Sequence, residues 1–183
     1  MTSQPKKKRW QALGRQLARL ALLLLGITLL LISTTVAAIG MQAQRDETRG
    51  TDLLFVIAPA APPTPLVEHS LELYRRGYGR QIALAGPGWA QLRADLLGRG
   101  VPAEALASGL SDESLLTALS AVRRSGTASL LIVSAPADQL LGLKAAHDQG
   151  LQAYGSPVSP TSPDLPTSLL AAIDYWRYAL LYR

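Results

Sequence analysis

The amino-acid sequence predicts an α/β protein: a Rossmann-like three-layer sandwich with a mainly parallel sheet, preceded by one N-terminal transmembrane helix. Three observations carry this expectation. Residues 20–40 read "LALLLLGITLLLISTTVAAIG", 21 consecutive positions without a charge. Beyond residue 50, short apolar runs alternate with segments of helical period, the order that yields parallel strands joined by crossover helices. A chain of 183 residues, 48% of them hydrophobic, leaves about 130 residues for a single core once one membrane segment is set aside.

Residues 1–19 read as a basic cytoplasmic segment. Lys6, Lys7, Lys8, Arg9, Arg15 and Arg19 all precede the first acid, Asp46, and they account for the net charge of +5, because the rest of the chain sums to −1. A nearly neutral domain offers no electrostatic footprint for a phosphate backbone, which argues against nucleic-acid binding. At about 1.5 Å per residue, a helix over 20–40 matches the roughly 30 Å hydrocarbon core of a bilayer. The cationic flank precedes it, and the other side has mixed charge. By the positive-inside rule the N-terminus is cytoplasmic and the domain lies outside the cell membrane, a single-pass arrangement. The rival reading is a cleaved signal peptide, with Val36, Ala37 and Ala38 as small residues near a cleavage point. The apolar region of a signal peptide is about 7–15 residues, shorter than this one, so an uncleaved anchor is favoured. Residues 41–50, "MQAQRDETRG", read as a short polar tether. The chain has no cysteine, so an exported domain must rely on its core, and thiol nucleophiles and cysteine-based zinc sites are excluded.

Residues 51–183 then form the domain. "DLLFVIA", 52–58, has the pattern of a strand buried on both faces, ended by the proline-rich "PAAPPTP". Leu66, Ser70, Leu73 and Tyr74 lie at helical spacing, and Gly77 suits the stop of that helix. The order repeats with "QIALAG" as strand, "WAQLRADLLGRG" as helix, a short "EALASG" strand, "SDESLLTALSAVRRSG" as helix, "SLLIVSA" as strand, "DQLLGLKAAHDQG" as helix and "LQAYGSPV" as strand. After the loop "SPTSPDLP", residues 168–182 make a terminal helix. Its stripe of Leu169, Ile173, Trp176 and Leu180 is expected to pack on the sheet, leaving Tyr175, Ala179 and Tyr182, with Arg177 and Arg183, toward a membrane interface.

Few motifs carry chemistry. "GPGW", starting at Gly86, follows a strand and opens a helix, but Gln91 stands where a dinucleotide loop needs its third glycine. No P-loop, G-x-S-x-G elbow, H-E-x-x-H or other metal-ligand spacing occurs, and no cofactor is identified. Ser134 and His147 are separated by about 20 Å of helix at 1.5 Å per residue, so they are no nucleophile and base. In "SDES", Ser111 is a good N-cap, and Asp112 and Glu113 favour the positive end of a helix dipole. On a functional reading, this helix start, His69 and Asp138 would converge on the carboxyl edge of the sheet, where open α/β folds bind ligands.

The segments "TDLLFVIAP", "SLELYRRGYGRQIALAG", "LLGRGVPAEAL", "SDESLLTALSAVRR" and "LLIVSAPADQLLGLKAAHDQG" together resemble the YdcF-like superfamily of SanA- and ElyC-like envelope proteins over residues 51–183. The resemblance implies a Rossmann-like α/β domain, often behind one membrane helix, with a role in cell-envelope and lipid-carrier physiology. It implies a pocket of Asp52, Glu113 and Asp138 as candidate catalytic groups and Gly86, Ser111, Ser114 and Ser134 as candidate ligand contacts. It also marks departures. The glycines after the first strand are Ala58 and Pro59, and the arginine opening the next helix is Leu66. The Ser-Gly-Gly turn is Ala85, Gly86 and Pro87, the Thr-x-Glu-Asn motif is Ser111 to Ser114, and the Thr…His…Arg pattern aligns with Ser134, Asp138 and Leu141.

Two arginines and a histidine of such a pocket are therefore replaced. The expectation is that Asp52, Ser111, Glu113, Ser134 and Asp138 gather at one edge with few cations, a pocket poor at holding phosphate and better suited to a cation, an amine or no ligand. Two functions remain open. One is a non-catalytic or altered envelope module that binds a lipid or protein partner near the bilayer. The other is an enzyme acting on a lipid-linked or phosphorylated envelope intermediate.

Overall fold

The computed structural model describes residues 5–159 and 161–182. Residues 1–4 of the basic segment and Arg183, expected at a membrane interface, lie outside the described residues. The protein is α/β, with a four-stranded parallel open sheet flanked by helices. In chain order the elements are α1 (Pro5–Ala43), β1 (Leu53–Ile57), α2 (Thr64–Arg75), β2 (Gln81–Ala85), α3 (Trp89–Gly98), α4 (Leu115–Arg124), β3 (Ser129–Ser134), α5 (Gln139–Asp148), β4 (Gln152–Pro157) and α6 (Leu165–Leu181). Strand order is β2-β1-β3-β4, with Phe55 level with Ala83 on one side and Ile132 on the other.

The strands form because Leu, Val, Ile and Phe crowd residues 53–57 and 129–134, and a pleated strand sends alternate residues to opposite faces. Leu54, Val56, Ile82, Leu84, Leu131 and Val133 meet Leu66, Val67, Leu92 and Leu96 of α2 and α3. Leu53, Phe55, Leu130 and Ile132 meet Leu119, Val122, Leu143 and Ala146 of α4 and α5. These two apolar layers bury both sheet faces, which is why the central strands read as continuous apolar runs rather than alternating ones.

The short strand expected in "EALASG" is absent. Residues Ala103–Ala105 and Ser108–Leu110 form single 3₁₀ turns, and only isolated bridges, Ile82 to Leu106 and Ala85 to Asp112, run beside β2. Glu, Ala and Gly are poor strand formers, and the segment keeps a strand's position without its ladder.

Helix α1 reaches Ala43, beyond the expected boundary at residue 40, and its portion Gln16–Ala43 is long and apolar enough to cross a membrane. Length and composition of this kind fit a membrane anchor or a signal sequence. Leu17 to Leu31 leave their large side chains exposed, whereas Thr35, Ile39 and Ala43 are buried where α1 meets α5 and α6.

The chain that follows α1, within the segment expected as a tether, bonds to the domain. Glu47 N–H donates to the Gly155 carbonyl at 2.8 Å, Thr51 N–H donates to the Tyr78 carbonyl at 2.8 Å, and the Arg49 guanidinium lies 4.2 Å from the centre of the Tyr154 ring. Residues 47–49 thus form a strap against β4.

Helix α6 also departs from expectation. Asp164 caps it by accepting from Thr167 N–H at 3.3 Å, but its inner face consists of Ser168, Ala172 and Tyr178. The stripe expected on the sheet, Leu169, Ile173 and Leu180, is exposed instead. Tyr178 is buried and donates to Asp148 Oδ2 at 2.9 Å.

Candidate functional site

In an open parallel sheet, connections leave neighbouring strands in opposite directions at one point, and the crevice beyond the carboxyl ends there is the ordinary ligand site. Here that point lies between β1 and β3, and its walls are the chain after Ile57 and after Ser134. The hydroxyls near it, and the Gly86 amide, have internal partners.

Ser134 Oγ donates to Gln139 Oε1 at 2.6 Å, and Gln139 Nε2 donates to the Ile132 carbonyl at 3.2 Å. Both side chains are fully buried, so the serine closes the β3-to-α5 turn rather than facing a ligand. Gly86 has φ +98° and gives its N–H to the Asp112 carbonyl at 3.1 Å. A Cβ at Gly86 would fall onto the Ala58 carbonyl oxygen, and one at Gly88 onto that of Pro59. "GPGW" is therefore a place where two backbones touch, with no room for a phosphate between them.

The "SDES" stretch is divided among structural tasks. Ser111 Oγ accepts from Leu84 N–H at 3.0 Å and donates to the Ala107 carbonyl at 3.1 Å, standing in for a strand partner of β2. Helix α4 starts later than expected, at Leu115, and its N-cap is Ser114, whose Oγ accepts from Thr117 N–H at 3.4 Å. Asp112 Oδ1 accepts from Ser114 N–H at 2.7 Å. Glu113 is exposed and makes no hydrogen bond or ion pair among the described residues.

The expected gathering of carboxylates does not occur. Asp52 precedes β1 and so sits at the amino edge, on the opposite side of the sheet from Ser134. Its Oδ2 accepts from Ser129 N–H at 2.9 Å, Ser129 Oγ at 2.9 Å and Ala128 N–H at 3.2 Å. These donors, those of Ser129 foremost, hold its carboxyl below the usual aspartate range. Asp52 thus clamps the start of β3, beside an open groove of about 800 Å³ lined by residues including Tyr74, Arg80 and Glu104. Asp138 lies at the N-terminus of α5 and makes no capping hydrogen bond with its side chain. Burial, and secondarily the Asp174 carboxylate on α6, push it above the usual range. Its acidic neighbour is on α6, neither Asp52 nor Glu113.

His69 meets a group that sequence reasoning missed. Its Nε2 is 2.9 Å from Ser156 Oγ, and Ser156 Oγ is 2.8 Å from Thr48 Oγ1, which also bonds the Asp46 carboxylate. A carboxylate only accepts, so the Thr48 proton goes to Asp46, the Ser156 proton to Thr48, and Ser156 accepts from Nε2–H of His69. Burial lowers the His69 pKa, against opposing pulls from Asp46 and Glu72, which favours this neutral imidazole. In that tautomer Nε2 carries its own proton and cannot take the one on Ser156, and Ser156 itself is fully buried. The string ties α2, β4 and the strap together. The signal for it was Ser156 in the "GSP" at the end of the last strand, but its partners come from residues about 90 and 110 positions away.

Among the described residues, no three His, Asp or Glu side chains converge to hold a metal ion. No family model, curated protein or solved structure matches this chain.

Proposed function

We propose that this protein is a membrane-anchored α/β module displayed on the outer face of the cell membrane, acting in envelope physiology by holding a lipid or protein partner rather than by turnover. One observation carries the non-catalytic part: at the carboxyl edge, Ser111, Ser114, Ser134 and the Gly86 amide are all engaged within the fold. A reacting group needs a free nucleophile, a base in reach and donors aimed at developing charge. Glu113 and Asp138, the acids left at that edge, make no side-chain hydrogen bond to a nucleophile or base among the described residues. Anchoring is supported by the exposed apolar length of α1 and by the cations that precede it. The likeness to the YdcF-like superfamily rests on the sequence segments quoted above and belongs to this proposal.

The test has two arms on the full chain. A C-terminal reporter that is active only outside the cytoplasm should be active, and the N-terminus of the purified protein should be uncleaved. A mature form starting near Ala38 would establish the signal-peptide reading instead. Release of phosphate from a lipid-linked phosphate, abolished by Glu113→Ala, would overturn the non-catalytic reading in favour of an enzyme.

A further inference from the structure

Helix α6 is the least soluble-looking surface of the domain. Leu170 is 64% exposed, Ile173 60% and Leu180 74%, with Leu165, Leu169 and Leu181 beside them. Contiguous apolar patches of this kind mark contact with another apolar phase or partner.

The position of α6 identifies which. Gln44 Nε2 donates to Ser162 Oγ at 2.8 Å just before α6 begins, and Trp176 Nε1 donates to Thr35 Oγ1 at 3.0 Å further along. Near its end, Leu180 shares an apolar cleft of about 450 Å³ with Thr28, Leu31 and Ile32. As α6 advances from 162 to 180, its neighbours on α1 therefore step back from 44 toward 28. The two helices are antiparallel, and α6 descends alongside the apolar segment of α1. At about 1.5 Å per residue, the 28 residues of that segment make about 42 Å, more than the roughly 30 Å hydrocarbon core. The core reached from Leu20, after the last cation of the basic segment, ends near Gly40, so the cleft at Thr28 to Ile32 is level with acyl chains.

The polar side-chain atoms of Trp176 and Tyr178 on α6 are paired within the protein. The indole N–H of Trp176 is satisfied by Thr35, and the Tyr178 hydroxyl by Asp148 on α5. The stripe of Leu165, Leu169, Ile173 and Leu180 carries no charge. Backbone and side-chain donors that meet hydrocarbon must be satisfied internally; at the cleft they are, while the exposed Asp174 and Arg177 on the same helix mark the border of the lipid-facing stripe.

We propose that α6 is a second membrane-contact element: its exposed leucine and isoleucine face seats in the outer leaflet, and lipid acyl chains fill the cleft between α6 and α1. This rests on the reading of α1 as an anchor. It makes the domain a body held flat against the bilayer by two antiparallel helices, rather than one swinging from a single stalk.

The absence of cysteine from the sequence makes the test direct. Single cysteines are introduced in the full chain at Leu25 on α1, at Leu170 and Ile173 on α6, and at Glu104 on the domain as a reference. Each is labelled with an environment-sensitive fluorophore, and the protein is reconstituted into vesicles of phosphatidylcholine and phosphatidylglycerol. A fraction of the lipids carries a nitroxide on the acyl chain. The expected result is loss of most emission at Leu25, Leu170 and Ile173, and none at Glu104. Quenching at Leu25 alone overturns the α6 proposal while leaving the anchor standing. No quenching at Leu25 overturns the anchor reading itself. Cross-linking of Ile173→Cys between two copies, with protection from the lipid quencher, overturns lipid in favour of a second copy as the occupant.

Discussion

Ser134→Ala separates a scaffold corner from a ligand corner. The Ser134 hydroxyl and the Gln139 amide are both sealed from solvent, 2.6 Å apart, and Gly155 leaves the space the amide occupies, since a Cβ there would collide with it. Removing the hydroxyl strands the Gln139 carbonyl oxygen among apolar side chains, which costs about 1–3 kcal/mol. Gln139→Leu removes the amide instead and leaves Ser134 free to donate to the Ala135 carbonyl at 3.0 Å, so it costs less, about 1 kcal/mol. With both changes no side-chain polar atom is left unmatched, and the double variant should be more stable than the sum of the singles by about 1–2 kcal/mol. Urea unfolding of the full chain in micelles, followed by circular dichroism, measures all three. In a thermal scan, Ser134→Ala should lower Tm by about 3–15 °C, taking about 3–5 °C per kcal/mol at this size. If Ser134→Ala unfolds like the parent and the two single changes are additive, the buried pair is not formed. Ser134 would then return to the hydroxyls open to a ligand.

Two further outcomes follow from the same geometry. Gly88→Ala should be markedly destabilising, at or above about 3 kcal/mol, because the obstacle is the Pro59 backbone rather than a movable side chain; Gly126→Ala, in open space at φ +83°, should cost only the left-handed strain of about 1–2 kcal/mol, and equal losses in urea would contradict the close approach. For His69, burial sets the folded pKa below the unfolded value near 6.5, so the unfolded chain binds more protons in that window. Stability should be full above about pH 6.5 and fall as the pH drops through the folded pKa. Melts between about pH 5 and 7.5 should show this slope, and His69→Gln should flatten it.

The parts of the fold that were legible in the sequence are those set by local composition. Runs such as "LLFVI" and "SLLIVS" are strands wherever they lie, because both sheet faces bury them. Asp52 could have been assigned to the amino edge from its place just before Leu53, since strand direction follows chain direction. The face of α6 could not be read, because a leucine stripe has the same period whether it meets a sheet, another helix or lipid. The face that packs inward uses Ser168 and Ala172, residues that carry no strong hydrophobic signal. The corner hydroxyls were opaque for another reason. Ser111 bonds Leu84 across 27 residues, and Ser156 bonds Thr48 across 108, so their partners are chosen by how the chain crosses itself.

Both outer strands of the sheet are met by chain that is not itself a strand. Along β2, Ala107 N–H donates to the Ile82 carbonyl, Asp112 N–H donates to the Leu84 carbonyl, and Ser111 Oγ accepts from Leu84 N–H. Along β4, the strap that descends from α1 gives Glu47 N–H to Gly155. An uncovered strand edge is a template onto which a foreign peptide can add itself. Such a visitor would meet the chain between residues 106 and 112 along β2, and at Gly155 the Glu47 amide already holds the β4 carbonyl. Because the segment along β4 is continuous with α1, a displacement of that helix would be passed to this margin of the sheet.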